Sequence, residues 1–544
     1  MNLASLKILT LGLWLSLGVS PVMALPQVLG ARGIDTVTLE GSPWNLTGKG
    51  VWIGQLELSR PRKFGLDWQG LGGGAAVVDP MQVFFRDRPA RPNRDLDEHS
   101  YQVAAVMISR HPLFRGVAPG ANLIAAAYAD RGQGGQFEAL IAAQHLLRQG
   151  RDRVRAVNLS FGEPLVQQSG LDGSSLLSLG LDWLAFTYRT LLVVSGNQAR
   201  GGIPVPTDLF NGLVVGFTRQ DRHGVYRILD RHNLVDEPFV DRNLNQRYDP
   251  GEPFTDLNQD GRWTARVESP QDGRRSLALL APGTQLQVLG VNGKVSIIRG
   301  TSFAAPQVTA TVALLQEYAE RLIKTGRWQV QARRPEVIKA ILLNSADKIQ
   351  DQGDGLNLGM TKTIQDSQGK TWLDCDAYGD RALPLCTGLG AGQLNAKRSV
   401  QQFAAGQQAP GRVGALGWNY GTIQPRQFHE YYFDRPLVGG GLVVATLVWQ
   451  RRVILTNANG DRDFSQGESF HAAPINNLEL YLMAVDQQDS EQNIWSSISS
   501  VDNLQHLTWR IPKSGRYKLR IVFGRQRDQN FQDYAIAWWT KPEP

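Results

Sequence analysis

The feature that most constrains the fold is a series of short apolar segments that alternate with stretches of helical periodicity. The apolar segments cover residues 51–57, 121–124, 156–162 and 191–197, and glycine lies within or next to each of them. A helix between successive strands returns the chain to the same end of a sheet, so this alternation is typical of right-handed βαβ units. We therefore predict an α/β domain with a mostly parallel sheet and helices on both faces.

A serine lies between small residues just before a long apolar run. Residues 300–306 read Gly-Thr-Ser-Phe-Ala-Ala-Pro, and the run covers 308–315. Because proline suits the first helical turn, we expect Ser302 at or just before a helix N-terminus. The free N–H groups there favour the oxyanion that forms when a serine attacks a carbonyl. Alone, a Gly-Thr-Ser segment more often indicates a small-residue turn before a buried helix.

Two other polar residues lie where an α/β sheet places chemistry. Glu57 ends the first apolar segment, and His99 begins a helix with a small-residue face. The carboxyl ends of parallel strands form the edge at which such sheets bind ligands. Taken singly, Glu57 is interpreted as a surface charge at a strand end and His99 as a structural histidine.

Together and in this order, these segments resemble the subtilisin-like serine peptidases (subtilases). Residues 300–306 match the family's nucleophile motif, residues 195–197 (Ser-Gly-Asn) resemble the strand end that carries the oxyanion-hole asparagine, and residues 160–162 resemble the substrate-pairing strand. The resemblance covers roughly residues 45–400. Further landmarks are residues 116–121, 281–283, 335–346 and 390–396.

The resemblance implies a serine endopeptidase, a hydrolase that acts on protein or peptide substrates, and we expect a monomer. It implies Ser302 as nucleophile, His99 as general base, Glu57 as the acid that orients His99, and Asn197 in the oxyanion hole. It also implies that Ser160, Phe161 and Gly162 bind the substrate backbone as an added strand.

Two departures from the family pattern leave a second interpretation open. The family usually has Asp where this chain has Glu57, and it usually has Gly-Thr-His where Ser100, Tyr101 and Gln102 follow His99. Glutamate reaches roughly 1.5 Å further, and a displacement of about 1 Å can cost a hundredfold in rate. The alternative is a catalytically inactive subtilase-like scaffold or binding protein.

A polar insertion at about residues 219–275 predicts bound calcium. Its first loop, residues 241–252, has oxygen-bearing side chains at positions one, three, five, nine and twelve and a backbone carbonyl at seven, the spacing of a calcium loop. A second, shorter loop begins at residue 256, and a third occupies residues 457–468. The alternative is a solvated cluster of Asn/Asp turns. The predicted ligands are Asp241, Asn243, Asn245, Arg247, Asp249, Glu252, Asp256, Asn258, Asp260, Asn457, Asn459, Asp461, Asp463 and Glu468.

The first residues predict export. Lys7 precedes an apolar stretch at residues 8–19 and a small-residue cleavage site at 22–24, which indicates a signal peptide at residues 1–24. We expect an extracellular or periplasmic protein with no stable membrane insertion after cleavage. An oxidising compartment favours a disulfide between Cys375 and Cys386, worth about 3 kcal/mol; the alternative is two free thiols.

Charge and the C-terminal pattern complete the predictions. The formal net charge is +7, but arginine is spread along the chain without a basic block, so we expect no nucleic-acid partner. The peptidase domain is expected at residues 25–404. Residues 405–544 contain short alternating runs, which predict an antiparallel β-sandwich of the jelly-roll or pre-peptidase type. Trp449, Trp538 and Trp539 are expected either to pack in its core or to form a binding face.

Overall fold

The structure is a computed structural model that describes residues 23–24, 28–67, 77–130, 133–165, 170–197, 204–229, 234–256, 261–265, 267–268 and 272–544. Residues 1–22 of the predicted signal peptide lie outside this set. The cleavage-site residues Met23–Ala24 form a short strand that pairs in parallel with Leu286 and Gln287. Export therefore stays a prediction.

The strands of the first domain agree with the predicted alternation. They are β1 (Met23–Ala24), β2 (Trp52–Glu57), β3 (Gln82–Phe85), β4 (Arg88–Pro89), β5 (Asn122–Ala127), β6 (Val154–Leu159), β7 (Leu191–Ser195), β8 (Gly212–Gln220), β9 (Tyr226–Arg227), β10 (Leu234–Val235), β11 (Val267–Glu268), β12 (Leu277–Pro282), β13 (Leu286–Leu289), β14 (Val295–Ile298) and β15 (Ile364–Gln365). The central sheet has the order β15-β9-β8-β7-β6-β2-β5-β3-β4, with β12 beside β8. Its central strands, β8 through β3, are parallel.

Helices connect these strands. They are α1 (Val37–Glu40), α2 (Glu98–Ile108), α3 (Gln136–Gly150), α4 (Leu176–Tyr188), α5 (Thr301–Lys324), α6 (Pro335–Asn344), α7 (Asp376–Gly379) and α8 (Ala396–Ala404), with 3₁₀ turns at Arg151–Arg153, Val330–Arg333, Trp372–Asp374 and Ser490–Gln492. Among the helices of the described residues, none has the length and apolar character that a membrane span needs.

Successive residues of the central strands belong to two different apolar cores. Ile53 of β2 packs in the core that contains α2 and α5, whereas Leu56 packs in the core that contains α3 and α4. Side chains along a strand alternate between faces, so the strands are apolar on both sides, as buried parallel strands are. This confirms the predicted α/β fold with helices on both faces.

The C-terminal region is a β-domain, as predicted. Its strands are β16 (Gly411–Val413), β17 (Leu416–Ile423), β18 (Phe428–Phe433), β19 (Leu442–Val448), β20 (Val453–Thr456), β21 (Ser469–Ala472), β22 (Asn477–Ala484), β23 (Trp495–Ser497), β24 (Leu504–Arg510), β25 (Tyr517–Arg525) and β26 (Gln532–Thr540). Two sheets, β16-β18-β25-β22-β23 and β17-β26-β19-β24, share one apolar core. Except for the parallel pair β16–β18, their strands are antiparallel.

The three tryptophans pack against apolar cores. Trp449 and Trp538 are fully buried in the core between the sheets. Trp539 packs beside Leu442 and Met360, and the Arg398 guanidinium lies 3.9 Å from the centre of its ring. These contacts favour core packing over a binding face.

The two domains share apolar cores. The hairpin β20–β21 lies on the first domain, where Phe464 and Phe470 join the core of α3 and α4. Gln144 of α3 fixes the backbone of Phe464 by two hydrogen bonds, one donated by the side-chain amide at 3.2 Å and one accepted at 2.7 Å. The C-terminal domain is therefore packed into the peptidase domain along a buried surface.

A buried ion pair anchors the same interface. The Arg451 guanidinium contacts the carboxylate of Asp182 in α4 at 2.5 Å, and both side chains are almost completely buried. The Arg451 N–H also donates to the side chain of Asn211 at 2.8 Å. Removing one partner of a buried ion pair is costly because the other charge remains desolvated.

We expect Arg451→Gln to lower the free energy of unfolding by about 3 kcal/mol, since Asp182 would stay buried without its cation. Chemical denaturation followed by fluorescence measures this. The neighbouring Arg452 pairs with Asp528 in a partly exposed position, so Arg452→Gln should cost less than about 1 kcal/mol. Equal costs for the two variants would contradict a buried anchor at Arg451.

Candidate active site

The four predicted catalytic residues lie on one face of the sheet, at its carboxyl edge. Glu57 has the same strand parity as Ile53, and Asn197 follows β7 with the same parity as Val193. Ile53 and Val193 face the core of α2 and α5, and α5 carries Ser302. The side-chain alternation of two parallel strands thus directs Glu57 and Asn197 toward the helices that carry His99 and Ser302.

Hydrogen bonds hold the histidine helix against the glutamate strand. Asp97 caps α2 by accepting the Ser100 N–H at 2.6 Å. Gln55, fully buried in β2, donates its amide to the Ser100 carbonyl at 2.9 Å, and the Ser100 hydroxyl donates to the Ser59 carbonyl at 2.8 Å. The residues on either side of Glu57 therefore bind the residue after His99, which fixes the two catalytic candidates relative to each other.

The carboxylate of Glu57 lies 3.6 Å from Nδ1 of His99. Glu57 is 1% exposed, and its Oε1 atom is buried without a hydrogen-bond partner. Burial raises the pKa of Glu57 well above its ordinary range, the charge of Asp97 raises it further, and a hydrogen bond from the Ser160 backbone lowers it. Burial lowers the pKa of His99, while the charge of Asp97 acts in the opposite direction.

Ser302 is the second residue of α5, so the predicted position at a helix N-terminus agrees with the structure. The predicted place of Pro306 in the first helical turn is wrong, because α5 begins at Thr301 and Pro306 lies inside it. Proline has no N–H to donate to the carbonyl four residues earlier, which is that of Ser302. The Ser160 hydroxyl donates to this carbonyl instead, at 2.9 Å.

The Ser302 hydroxyl donates to the Ser160 carbonyl at 3.5 Å, and no hydrogen bond joins it to His99 among the described residues. The His99 ring packs against Phe303, the next residue after Ser302, with ring centroids 5.4 Å apart. Because Nδ1 of His99 faces Glu57, Nε2 is the ring nitrogen that remains for the serine. Catalytic hydrogen bonds are often long before substrate binds.

The oxyanion candidate and the nucleophile helix are tied together. The Thr301 hydroxyl donates to the Gly196 carbonyl at 2.9 Å, which links the start of α5 to the residue before Asn197. Asn197 is 4% exposed. This contact places the Asn197 segment beside the N-terminus of α5.

The predicted substrate-binding segment follows β6. Ser160 is buried and is hydrogen-bonded to Ser302. The Phe161 ring packs against the Tyr128 ring, with centroids 4.9 Å apart. Gly162 is half-buried. Since the Phe161 ring packs in the core, the predicted substrate binding would involve the backbone of this segment, and it stays a prediction.

Three positioning residues escaped the sequence analysis. Gln55 and Asn158 are polar residues inside otherwise apolar strands, and that interruption was the available signal. Asn158 donates its amide to the Ser160 hydroxyl at 2.8 Å. The third is Asp97, whose importance is visible only in its helix cap and in the effect of its charge on the pKa values of Glu57 and His99.

The first and third predicted calcium loops have the same internal hydrogen bonds. In each, the final glutamate (Glu252 or Glu468) accepts the backbone N–H groups of loop positions two and nine, at 2.8 and 2.9 Å. Their central residues, Gln246 and Arg462, have φ angles of 61° and 67°, the conformation for which calcium loops usually use glycine. The replacement of glycine therefore leaves the loop geometry intact.

The loop side chains are exposed for the most part, and not all of them converge. Asp463 turns away from the third loop and pairs with Arg148 of α3 at 2.7 Å. Asn258 and Asp260 of the second loop lie outside the described residues. Among the described residues, the His, Cys, Asp and Glu side chains close enough to share a metal ion are Cys375, Asp376 and Cys386, rather than those of the loops. The predicted ligand sets also contain amide and backbone oxygens, and bound calcium stays a prediction.

Cys375 and Cys386 are free thiols in this structure, although their sulfur atoms lie within 4.8 Å of each other. The carboxylate of Asp376, beside them, forms an ion pair with Arg275 at 3.0 Å and accepts a hydrogen bond from the Thr387 hydroxyl at 2.5 Å. The disulfide therefore stays a prediction.

The Subtilase family model matches residues 80–362. This is more than half of the chain, which therefore belongs to the subtilase family of serine peptidases. The match contains His99, Asn197 and Ser302 and begins after Glu57. No protein of curated function matches the chain.

The chain is also similar to solved subtilisin-like structures. It is 18% identical to the prenylagaramide maturation protease PagA, with 68% of this chain and 97% of that chain covered and a TM-score of 0.40. For MycP1 with its N-terminal propeptide removed, the identity is 16%, the coverage 65% and 92%, and the TM-score 0.37. For a serine-to-alanine mutant of the protease domain of PatA, these values are 18%, 64% and 94%, and 0.38.

The charge of Asp97 leads to a pH prediction. Because this charge raises the pKa of His99, we expect Asp97→Asn to lower that pKa and to shift the acid limb of kcat/KM to lower pH. Asparagine still caps the helix, so the free energy of unfolding should change little. Asp97→Ser, which also caps without charge, should shift the limb in the same direction. If the acid limb of kcat/KM stays at the same pH in both variants, the charge of Asp97 does not affect the pKa of His99.

Proposed function

We propose that this subtilase is an exported serine endopeptidase that hydrolyses peptide bonds with Ser302, His99 and Glu57. The observation that carries the proposal is the Glu57 carboxylate, which lies 3.6 Å from Nδ1 of His99 and is almost fully buried. A buried carboxylate at this nitrogen costs desolvation free energy, and the orientation of a catalytic imidazole accounts for its presence.

In the proposed reaction, Ser302 Oγ attacks the carbonyl carbon of the scissile bond. His99 Nε2 accepts the serine proton and then returns it to the leaving amine. Glu57 holds the tautomer with the proton on Nδ1 and stabilises the imidazolium. The hydrogen bond from the Ser302 hydroxyl to the Ser160 carbonyl is weak, at 3.5 Å. Rotation about χ1 of Ser302 breaks it and frees the hydroxyl for attack.

The raised pKa of Glu57 fits this role once the imidazolium forms. The proposed role uses the carboxylate form of Glu57, which accepts the Nδ1 proton of His99. Burial and the charge of Asp97 raise the pKa of Glu57, so this charged form carries a desolvation cost. The imidazolium that forms when Nε2 takes the serine proton offsets that cost, because its positive charge favours the ionised carboxyl group.

The proposed oxyanion hole consists of the Asn197 side chain and the Ser302 backbone N–H. The N-terminus of α5 adds about half a positive charge. Loss of one such donor typically costs about 10² to 10³ in turnover. Substrate would add to the Ser160–Gly162 segment through its backbone, and this favours broad tolerance of substrate sequence.

Calcium and export complete the proposal. The shared hydrogen-bond pattern and central φ angles of the first and third loops support calcium as a structural ion. The third loop also carries Phe464, which packs in the core of the first domain. An ion held there would stabilise the domain interface. The N-terminal signal pattern supports export.

The inactive scaffold is the second candidate. The separation of 3.6 Å between Glu57 and His99 exceeds a normal hydrogen bond, and Ser302 is bonded to Ser160 rather than to His99. If this geometry persists with substrate, Ser302 is not activated. The two candidates differ in the reactivity of Ser302, which is measurable without a known substrate.

We expect a fluorescent fluorophosphonate to label the purified chain and not its Ser302→Ala variant. Glu57→Gln should label on the order of 10⁴-fold more slowly, because the amide holds the wrong tautomer of His99. Labelling time courses on folded, calcium-containing protein measure these rates. Absence of label on the parent chain would support the inactive scaffold. Internal cleavage of casein, followed by mass spectrometry, tests the endopeptidase specificity.

We expect chelation with EDTA to lower the melting temperature, and calcium to restore it. An ion at a hundred times its Kd contributes about 2.7 kcal/mol. Glu252→Gln and Glu468→Gln remove the final ligand of the first and third loops and should each reduce the response. Glu491→Gln, on an exposed turn outside the loops, serves as the control. If EDTA leaves the melting temperature of the parent chain unchanged, the proposal that calcium stabilises the structure is wrong.

A further inference from the structure

Arginine side chains crowd a surface cavity of about 840 Å³. We call it the arginine pocket. Asp152 is the one acidic residue in its lining, and Tyr188, Val330 and Tyr420 add apolar surface. The arginines that line the pocket are Arg148, Arg151, Arg155, Arg189, Arg333 and Arg334.

The arginine pocket is remote from the catalytic residues. Arg151 and Arg155 flank the start of β6, and Arg189 precedes the start of β7. Ser160 and Asn197 follow the opposite ends of these two strands. A strand of this length spans about 20 Å, so the pocket lies at the amino edge of the sheet and takes no part in the proposed peptide hydrolysis.

Acidic residues neutralise only part of this charge. Arg148 pairs with Asp463 at 2.7 Å. Glu320 is shared between Arg155 at 3.1 Å and Arg333 at 2.7 Å. One carboxylate thus serves two guanidinium groups.

The other three arginines form no ion pair among the described residues. Arg151 and Arg189 are exposed, and Arg334 lies 4.7 Å from the centre of the Tyr420 ring. Arg151 and Arg189 immediately follow α3 and α4. Each helix C-terminus contributes about half a negative charge, and the buried carboxyl group of Glu336 acts on Arg334 and Arg189. Six guanidinium groups thus face four carboxyl groups, those of Asp152, Asp463, Glu320 and Glu336, and the pocket keeps a small positive excess.

We propose that the arginine pocket binds a compact organic ligand that carries two or more phosphate groups. Guanidinium forks match phosphate oxygens in pairs. A single anionic group would bind one guanidinium group and leave the other positive charges of the pocket unbalanced. A chain of phosphates can contact several guanidinium groups at once. Tyr188, Val330 and Tyr420 provide a wall for the organic part, and the volume is that of an ordinary small-molecule site.

The test is isothermal titration calorimetry of the full chain with sodium tripolyphosphate, the probe for the phosphate portion. We expect one site per chain, weaker binding as salt rises from about 0.1 M to 0.5 M, and much weaker binding of sulfate. The double variant Arg151→Gln/Arg189→Gln should bind at least about tenfold more weakly. The control Arg222→Gln/Arg412→Gln changes two exposed arginines outside the pocket and should bind like the parent.

Two results would overturn the proposal. One is the absence of saturable binding at 0.1 M salt. The other is an equal loss in both double variants, since this would indicate attraction to the overall charge of +7 rather than to the pocket. Unchanged melting temperatures of both variants establish that they fold. Because the readout is binding, the result does not depend on whether Ser302 is active.

Discussion

A missing backbone donor organises the catalytic edge. Pro306 lies within α5 and offers no N–H to the Ser302 carbonyl, so the Ser160 hydroxyl supplies that hydrogen bond. Asn158 in turn donates to the Ser160 hydroxyl. Ser302, the N-terminus of α5 and the segment after β6 are thereby joined through one side chain. A helix with an ordinary residue at position 306 would satisfy its own carbonyl and leave β6 and α5 without this connection.

The second constraint is the burial of Glu57. Its carboxyl group sits at the end of a strand that is apolar on both faces, with one oxygen unpartnered. Burial and Asp97 both raise its pKa, whereas burial lowers that of His99. Each effect favours the neutral form of its group. An imidazolium at His99 would favour the ionised form of Glu57, so the two groups would stabilise each other's charged forms.

The order of the motifs predicted the fold and the edge at which Glu57, His99 and Ser302 meet, because strand alternation and βαβ connectivity are local properties. The predicted position of Pro306 was wrong because proline inside a helix is disfavoured unless another donor satisfies the carbonyl that it leaves unbonded. Here that donor is Ser160, more than a hundred residues earlier in the chain. The packing of Phe464 onto α3 was equally beyond local reasoning. Gln55, by contrast, was visible as a polar interruption of an apolar strand.

The packing of the hairpin β20–β21 bears on whether the linker after α8 is needed to hold the two domains together. Since its aromatic residues fill the core of the first domain and Arg451 is buried against Asp182, the covalent connection between the domains is not what keeps them together. A nick between residues 404 and 411 would leave two fragments that remain associated as a noncovalent heterodimer. We therefore expect a cut at the linker to leave the C-terminal domain bound to the first domain rather than to release a free module.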